Sequence, residues 1–154
     1  MCNRLLLSIL ALVFLSAPTV QANLLVNGDF DDNTGYMLNS DGWFSAPSIT
    51  GWTGNETIEI QTQATIGVTP YSGDYYAEIN ADPGQTGTFS FEQMFATAIG
   101  QEYKVEFWYR SRQANDGAFD VSINGGTETV TNDDATQWRM YMFTFVADAE
   151  NEKL

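Results

Sequence analysis

The sequence contains no histidine, and its single cysteine, Cys2, lies at the extreme N-terminus. Without histidine the chain cannot form a Ser-His-Asp or Cys-His catalytic site, or a zinc site built on imidazole. It also has no Gly-x-Ser-x-Gly turn and no phosphate-binding loop. Paired carboxylates are enough for glycoside hydrolysis, but twenty acidic residues bring some carboxylates together by chance. The sequence therefore predicts a protein that is not an enzyme.

Basic residues are also scarce. Six Lys and Arg stand against twenty Asp and Glu, which gives a net charge of −14, and no basic residue lies between Leu5 and Tyr103. A field of this sign repels nucleic-acid phosphates and anionic lipid surfaces. We therefore expect no nucleic-acid partner, and we interpret the acidity as a means of solubility rather than of metal storage.

Only one long apolar run is present, Leu5 to Leu15, with Arg4 before it and the small-residue sequence Val20-Gln21-Ala22 after it. These three parts predict an export signal over residues 1–22. The run is too short to span a bilayer core of about 30 Å, so we expect no membrane insertion after cleavage. The mature chain would then lack cysteine. The sequence predicts a secreted or cell-surface protein, extracellular or periplasmic, and export without disulfides favours a bacterial source.

Alternating apolar residues predict β-strands throughout the rest of the chain. In Tyr103 to Arg110, the side chains of Tyr103, Val105, Phe107 and Tyr109 point to one face of a strand. The tight-turn sequence Asn124-Gly125-Gly126 predicts a hairpin. The other predicted strands are Thr57 to Gln61, Tyr75 to Asn80, Thr88 to Ala96, Ala118 to Asn124, Thr127 to Thr131 and Trp138 to Val146.

No segment after the leader shows the 3.6-residue periodicity of a capped helix, and short strands recur between Gly, Asn and Asp turns. This pattern is typical of an all-β fold, a jelly-roll β-sandwich of two antiparallel sheets. The length of residues 23–154 suits a single domain.

Four segments follow one another along the mature chain: Leu24 to Asp31, Ile49 to Thr53 leading to Ile58 to Ile60, Gly73 to Asn80, and Gln93 to Phe95 followed by Gly100 to Phe107. In this order they resemble the galactose-binding-like jelly-roll superfamily of carbohydrate-binding modules, particularly secreted DUF642-type proteins. The similarity covers nearly all of the mature chain and implies a β-sandwich that often binds glycans. Such proteins usually continue into a further strand beyond the position of Ala147, so we expect 23–154 to lack its last strand.

Glycan binding requires a flat aromatic ring that stacks on sugar C–H groups and polar side chains that hold hydroxyls. Strand alternation places Trp108 on the polar face, although packing beneath a loop or a second layer is the alternative. Tyr76, Glu78 and Asn80 form a second outward row, suited to hydroxyls or merely solvated. Trp43, beside the loop 39–42, is a candidate rim platform or packs under that loop.

The resemblance also implies a structural calcium, because proteins of this superfamily often carry one. Calcium prefers oxygen ligands in a tight turn, and by the resemblance its candidate ligands are Asp29, Asp31 and Asp74. The turn fails as an EF-hand, since Thr34 occupies the position that requires glycine. The alternative is a solvated acidic turn, and no cofactor is required.

Together these features predict an exported, non-catalytic carbohydrate-binding module that recognises extracellular or cell-wall polysaccharide. The alternative is a structural or adhesive protein of the cell surface or matrix without specific sugar binding. A downstream sorting segment and the absence of saturable sugar binding would favour that alternative.

Overall fold

The computed structural model describes residues 23–79, 88–113, 118–131 and 134–154, and within them nearly all of the regular secondary structure is β-strand. This confirms the all-β class. In the described part of the chain, no helix is long and apolar enough to cross a membrane. The elements are β1 (Trp43–Ile49), β2 (Trp52–Gln61), α1 (Gln63–Ile66), β3 (Tyr76–Glu78), β4 (Phe91–Glu92), β5 (Met94–Ala96), β6 (Glu102–Tyr109), β7 (Ala118–Ile123), β8 (Gly126–Thr131), β9 (Arg139–Val146) and β10 (Asn151–Lys153).

Strand β2 is the centre of a four-stranded antiparallel sheet. It pairs with β1 along one edge, and with β3 and β4 at two separate places along the other. The β1–β2 register shifts between Ala46 and Ser48, around Pro47, whose nitrogen cannot donate a ladder hydrogen bond. The remaining described strands form three two-stranded ladders, β5–β10, β6–β9 and β7–β8. Their grouping into the two sheets of a jelly roll stays a prediction.

The main core covers one face of the four-stranded sheet. Ile58 and Ile60 of β2 are completely buried, and Trp52, at 6% exposure, packs its ring against Phe30 and Phe91. The alternation predicted for Thr57 to Gln61 is thus confirmed. The other buried members are Phe44, Ala46 and Ile49, with Leu25, Tyr75, Ala77 and Leu154 packed against them.

A second aromatic cluster joins the β6–β9 ladder to the β7–β8 hairpin. Phe107 and Tyr109 of β6 contact Phe119 of β7, and Tyr141 of β9 contacts both residues of β6. These are the inward positions that alternation predicts for the two strands. The hairpin turns at Asn124-Gly125, where φ is 50° and 68°, as the sequence predicts for a tight turn.

Two strand assignments require correction. The segment 88–96 is not one strand, because it is divided into β4 and β5 at Gln93, whose backbone pairs instead with Leu154. Trp43 and Phe44 lie on a strand, β1, that the sequence analysis misses. The short strand β10, which pairs with β5, was not predicted either. The predicted leader, residues 1–22, and Asn80 lie outside the described residues.

The N-terminal segment is fastened to the sheet by a buried side chain, Gln93. Its amide oxygen accepts a hydrogen bond from the Val26 N–H at 2.6 Å, and its amide nitrogen donates to the Val26 carbonyl at 2.9 Å. Gln93 is only 4% exposed. Gly51 lies against this contact, since a Cβ atom there would meet the Val26 carbonyl oxygen at 2.7 Å. The Gln93 side chain therefore supplies the two backbone hydrogen bonds that a neighbouring strand would otherwise make with Val26.

We predict that Gln93→Ala lowers the free energy of unfolding by about 1 to 2 kcal/mol, because both backbone groups of Val26 lose a buried partner. Urea denaturation measures this change. The matched control is Gln101→Ala, since Gln101 is exposed and makes one long side-chain bond, at 3.3 Å, to Glu102. Equal stability of the two variants would contradict the assigned role of Gln93.

Candidate functional site

The face of the four-stranded sheet opposite the core carries two rows of polar and aromatic side chains. Strand register places Trp43, Gln61 and Tyr76 directly beside one another across β1, β2 and β3. The next row consists of Ser45, Glu59 and Glu78. Paired residues on neighbouring strands point to the same face, so these six side chains share one surface. We call the group of Glu59, Gln61, Tyr76 and Glu78 the polar cluster.

Gln61 is the centre of the polar cluster and is only 1% exposed. Its amide nitrogen donates to Glu59 Oε1 at 2.6 Å and makes a second, short hydrogen bond to Glu78 Oε2. Its amide oxygen accepts from the Tyr76 hydroxyl at 3.0 Å. Because buried polar groups are costly when unpaired, these three bonds leave Gln61 with one orientation. The amide thereby fixes two carboxylates and a phenol relative to one another.

The pKa of Tyr76 is raised to about 12, first by burial and next by the nearby Glu78 carboxylate, while Arg112 and Arg110 act in the opposite direction. Deprotonation would place a negative oxygen against the Gln61 carbonyl oxygen. Tyr76 is therefore protonated throughout the physiological range, and its hydroxyl hydrogen is committed to Gln61.

Arginine side chains gather around the polar cluster in an otherwise acidic chain. Arg112 Nη1 contacts Glu78 Oε1 at 2.6 Å, and the Glu78 side chain is only 11% exposed. Arg110 Nε donates to the Ala135 carbonyl at 2.8 Å. Arg139, at the start of β9, pairs with Asp134 at 3.1 Å. Arg112 and Arg110 thus lie close enough to the polar cluster to act on the Tyr76 hydroxyl, and Arg112 offsets part of the charge of Glu78.

Trp138 connects the polar cluster to the loop 67–75. Its ring meets Tyr76 edge to face, with centroids 6.0 Å apart. Its indole N–H donates to the Thr69 carbonyl at 2.9 Å. The predicted strand begins at Trp138, but β9 begins one residue later, at Arg139. Trp138 is half-buried beside the polar cluster and is not part of the main core.

Tyr71, in the same loop, forms an exposed ring pair with Trp108 of β6. The rings are nearly parallel, 16° apart, with centroids separated by 3.8 Å. Trp108 remains 38% exposed and Tyr71 51% exposed. The outward direction predicted for Trp108 is therefore confirmed. The alternative, packing beneath a loop, is confirmed in part, because the loop residue Tyr71 covers some of the indole. We call Tyr71 and Trp108 the aromatic pair.

The structure brings most of the predicted binding residues together. Tyr76 and Glu78 belong to the polar cluster, Trp43 lies in the same row as Gln61, and Trp108 belongs to the aromatic pair. Sequence reasoning missed Gln61, Glu59 and Tyr71 as site residues. The alternation that places Ile58 and Ile60 inward on one strand also places Glu59 and Gln61 on its outward face.

The residues proposed as calcium ligands do not converge. Asp31 Oδ1 accepts hydrogen bonds from the N–H groups of Asp74 and Tyr75 at 3.0 and 3.2 Å. The contact with Asp74 is thus to its backbone. Asp29 Oδ1 accepts from the Asp31 N–H at 3.4 Å. Across the described ranges, no group of three or more Asp, Glu, Cys or His side chains is arranged to hold a metal ion. These side chains therefore form no ligand cluster by themselves, and a calcium ion at this turn stays a prediction.

An open groove of about 620 Å³ lies elsewhere on the surface, between β10, β5 and the β7–β8 turn. Its polar lining includes Glu92, Asn124, Asp148 and Glu152, and no aromatic ring lines it. Glu152 is 5% exposed, and its Oε1 accepts from the N–H groups of Asp148 and Ala149, which assigns it a structural role. The groove lacks the stacking surface that the aromatic pair provides.

We predict that Gln61→Glu destabilises the protein by about 2 to 4 kcal/mol at pH 7, because it replaces a shared donor with a third buried carboxylate. Burial and the two neighbouring acids would raise the pKa of the new carboxyl in the folded state above its unfolded value. Its penalty therefore grows as the pH rises, and thermal unfolding at pH 5 and 7 measures the difference. Gln63→Glu, at an exposed position, is the control. A penalty independent of pH would contradict this arrangement.

We also predict that Tyr76→Phe removes a pH-dependent contribution to stability between about pH 10 and 12. The unfolded phenol ionises near pH 10, whereas the folded pKa is about 12. Wild-type stability therefore falls as the pH rises through this interval. Denaturation of wild type and variant across pH 9 to 12 isolates this contribution, since the other tyrosines are common to both proteins. Parallel stability curves would disprove the shift.

No protein-family model, no curated protein and no solved structure matches the chain. The functional interpretation therefore depends on the geometry of the aromatic pair and the polar cluster.

Proposed function

We propose that the protein binds polysaccharide without catalysis, and that the aromatic pair and the polar cluster form its glycan site. The observation that carries the proposal is the exposed stack of Tyr71 on Trp108. Exposed aromatic rings near fixed hydrogen-bonding groups are typical of sites that bind an amphipathic ligand. A pyranose ring has this character, because its C–H faces are apolar and its rim carries hydroxyls.

Contacts connect the stacking surface to the hydrogen-bonding groups. Trp138 bonds to Thr69, two residues before Tyr71, and packs on Tyr76. Tyr76 bonds to Gln61, which bonds to Glu59 and Glu78. These contacts link the aromatic pair to the carboxylates of the polar cluster and to Arg112, and we propose that a bound sugar chain bridges the two. Groups that are already positioned lose little entropy when a ligand binds.

The charge of the site favours an uncharged glycan. Arg112 is engaged by Glu78, and the whole chain carries a net charge of −14. Uronate and sulfate groups would be repelled by this field, whereas sugar hydroxyls donate well to carboxylates. We propose neutral extracellular or cell-wall polysaccharide as the ligand class. The jelly-roll sandwich of the galactose-binding-like superfamily is the architecture we propose for the chain, on its strand motifs and its all-β structure. We also propose export to the cell surface, on the residues of the leader, and a bacterial source, on export without disulfides.

Affinity electrophoresis in gels containing xyloglucan, galactan, β-glucan or pectin tests the proposal. We expect retardation by at least one neutral polysaccharide and none by pectin. Trp108→Ala and Tyr71→Ala should each weaken binding about five- to thirtyfold, since stacking of one ring on a ligand is worth about 1 to 2 kcal/mol.

The matched control is Tyr36→Ala. Tyr36 is 38% exposed, like Trp108, and it stacks on Phe44 with centroids 4.9 Å apart, but it lies outside the proposed site. We expect this variant to retain wild-type retardation. Equal losses in all three variants would indicate general destabilisation, and retardation by none of the polysaccharides would refute glycan binding.

A structural or adhesive role is the second candidate, favoured by the outer face of the β6–β9 ladder. Met140, Met142 and Val146 are each about half exposed on the same face as Trp108. Exposed apolar surface of this kind often marks a contact with another macromolecule. Self-association that Met142→Lys abolishes, in a protein that no glycan retards, would favour this role over the first.

A further inference from the structure

We infer that Asp31 is the positioning residue of the site: it holds the loop 67–75 in the conformation that places Tyr71 on Trp108. This inference depends on the proposed function only for its effect on glycan affinity. The effect on the aromatic pair is independent of any ligand. The acidic turn that the sequence analysis associates with calcium would then serve the glycan site by holding a loop.

The contact between Asp31 and the loop is made at the loop's C-terminal end. Asp31 Oδ1 accepts from two successive backbone N–H groups, those of Asp74 and Tyr75, at 3.0 and 3.2 Å. Bonds from backbone N–H groups to a carboxylate are stronger than bonds between neutral groups. Tyr75 then packs against the main core, and β3 begins at the next residue, Tyr76. Asp31 therefore fixes the point at which the loop enters the polar cluster.

Gly73 permits this close approach. A Cβ atom at Gly73 would overlap the Asp31 carboxylate, and the backbone there has φ of 62°. Both features favour glycine, because other L-residues adopt positive φ only at a cost. Loop backbone and carboxylate therefore fit each other closely at Gly73, which has no side chain.

The rest of the loop has few other polar supports. Between described residues, no backbone–backbone hydrogen bond involves residues 68–75. The Trp138 indole holds the Thr69 carbonyl, and the Trp108 ring holds Tyr71. The first contact comes from a residue beside the polar cluster, and the second lies within the aromatic pair itself. Asp31 is the polar contact that reaches the loop from outside the site, so its removal should allow Tyr71 to leave Trp108.

The test compares Asp31→Ala and Asp31→Asn with wild type by near-ultraviolet circular dichroism. The difference spectrum between wild type and Tyr71→Ala identifies the band of the aromatic pair. We expect Asp31→Ala to lose more than half of this band and Asp31→Asn, which keeps an acceptor oxygen, to lose less. Asp41→Ala is the charge-matched control, since Asp41 is an exposed turn residue whose carboxylate accepts from Ser40 at 3.4 Å.

A band in Asp31→Ala equal to that of wild type would overturn the inference. If Asp31→Ala also loses its far-ultraviolet strand signal, the Asp31→Asn variant decides: a wild-type band there overturns the inference, and a reduced band with intact strand signal supports it. Asp29→Ala and addition of EDTA distinguish the hydrogen bonds between Asp31 and the loop from a metal site at the same turn. Loss of the band with either of them would assign the loop to a bound cation and would also overturn the inference.

Glycan affinity gives the functional readout. On a neutral polysaccharide that retards the wild type, Asp31→Ala should bind about three- to tenfold more weakly, as expected when a side chain must be ordered on binding. The Asp41→Ala variant should bind within twofold of wild type. If no polysaccharide retards the wild type, the proposed function fails while the dichroism still decides the role of Asp31. If Asp31→Ala loses the band but keeps wild-type affinity, Asp31 does not position the glycan site.

Discussion

The buried amide of Gln61 is the interaction on which the proposed site depends. One side chain, completely covered, holds Glu59, Glu78 and the Tyr76 hydroxyl at once. A carboxylate would add a third negative charge at this position, and an apolar side chain would leave three polar groups without their partner. The amide alone supplies both a two-hydrogen donor and an acceptor. It therefore converts one face of an ordinary sheet into a rigid polar surface.

The loop 67–75 adds the aromatic part of the site and is held from both sides. Trp108 of β6 and Trp138, which precedes β9, contact it on one side, and Asp31 contacts it from the N-terminal turn. The N-terminal turn is itself fastened near Gln93, through Val26. A substitution far from the ligand can therefore act on the aromatic pair. The site is a product of three separate parts of the chain, which meet only in the folded protein.

Strand alternation was enough to predict the all-β class, the inward faces of β2 and β6, and the outward direction of Trp108. These features follow from a two-residue period within a single segment. The partner of Trp108 could not be predicted, because Tyr71 lies in a loop with no period. Gln61 lies at the end of β2, whose inward residues were correctly predicted. Its role depends on a hydrogen bond to Tyr76 of β3, fifteen residues later in the chain, which a pattern within one strand does not reveal. The Asp31 carboxylate has the composition of a metal ligand, and only the fold shows that it bonds to backbone N–H groups.

The most direct measurement of the central claim is a nitrogen–proton NMR titration that follows the indole N–H signals of the four tryptophans and the side-chain amide of Gln61. The titrant is an oligosaccharide prepared from a neutral polysaccharide that retards the protein. The account predicts that the signals of Trp108, Trp138 and Gln61 shift together and saturate at one concentration, while buried Trp52 does not move. Shifts confined to Trp52, or saturating shifts only at residues around Asn124 and Glu152, would contradict it.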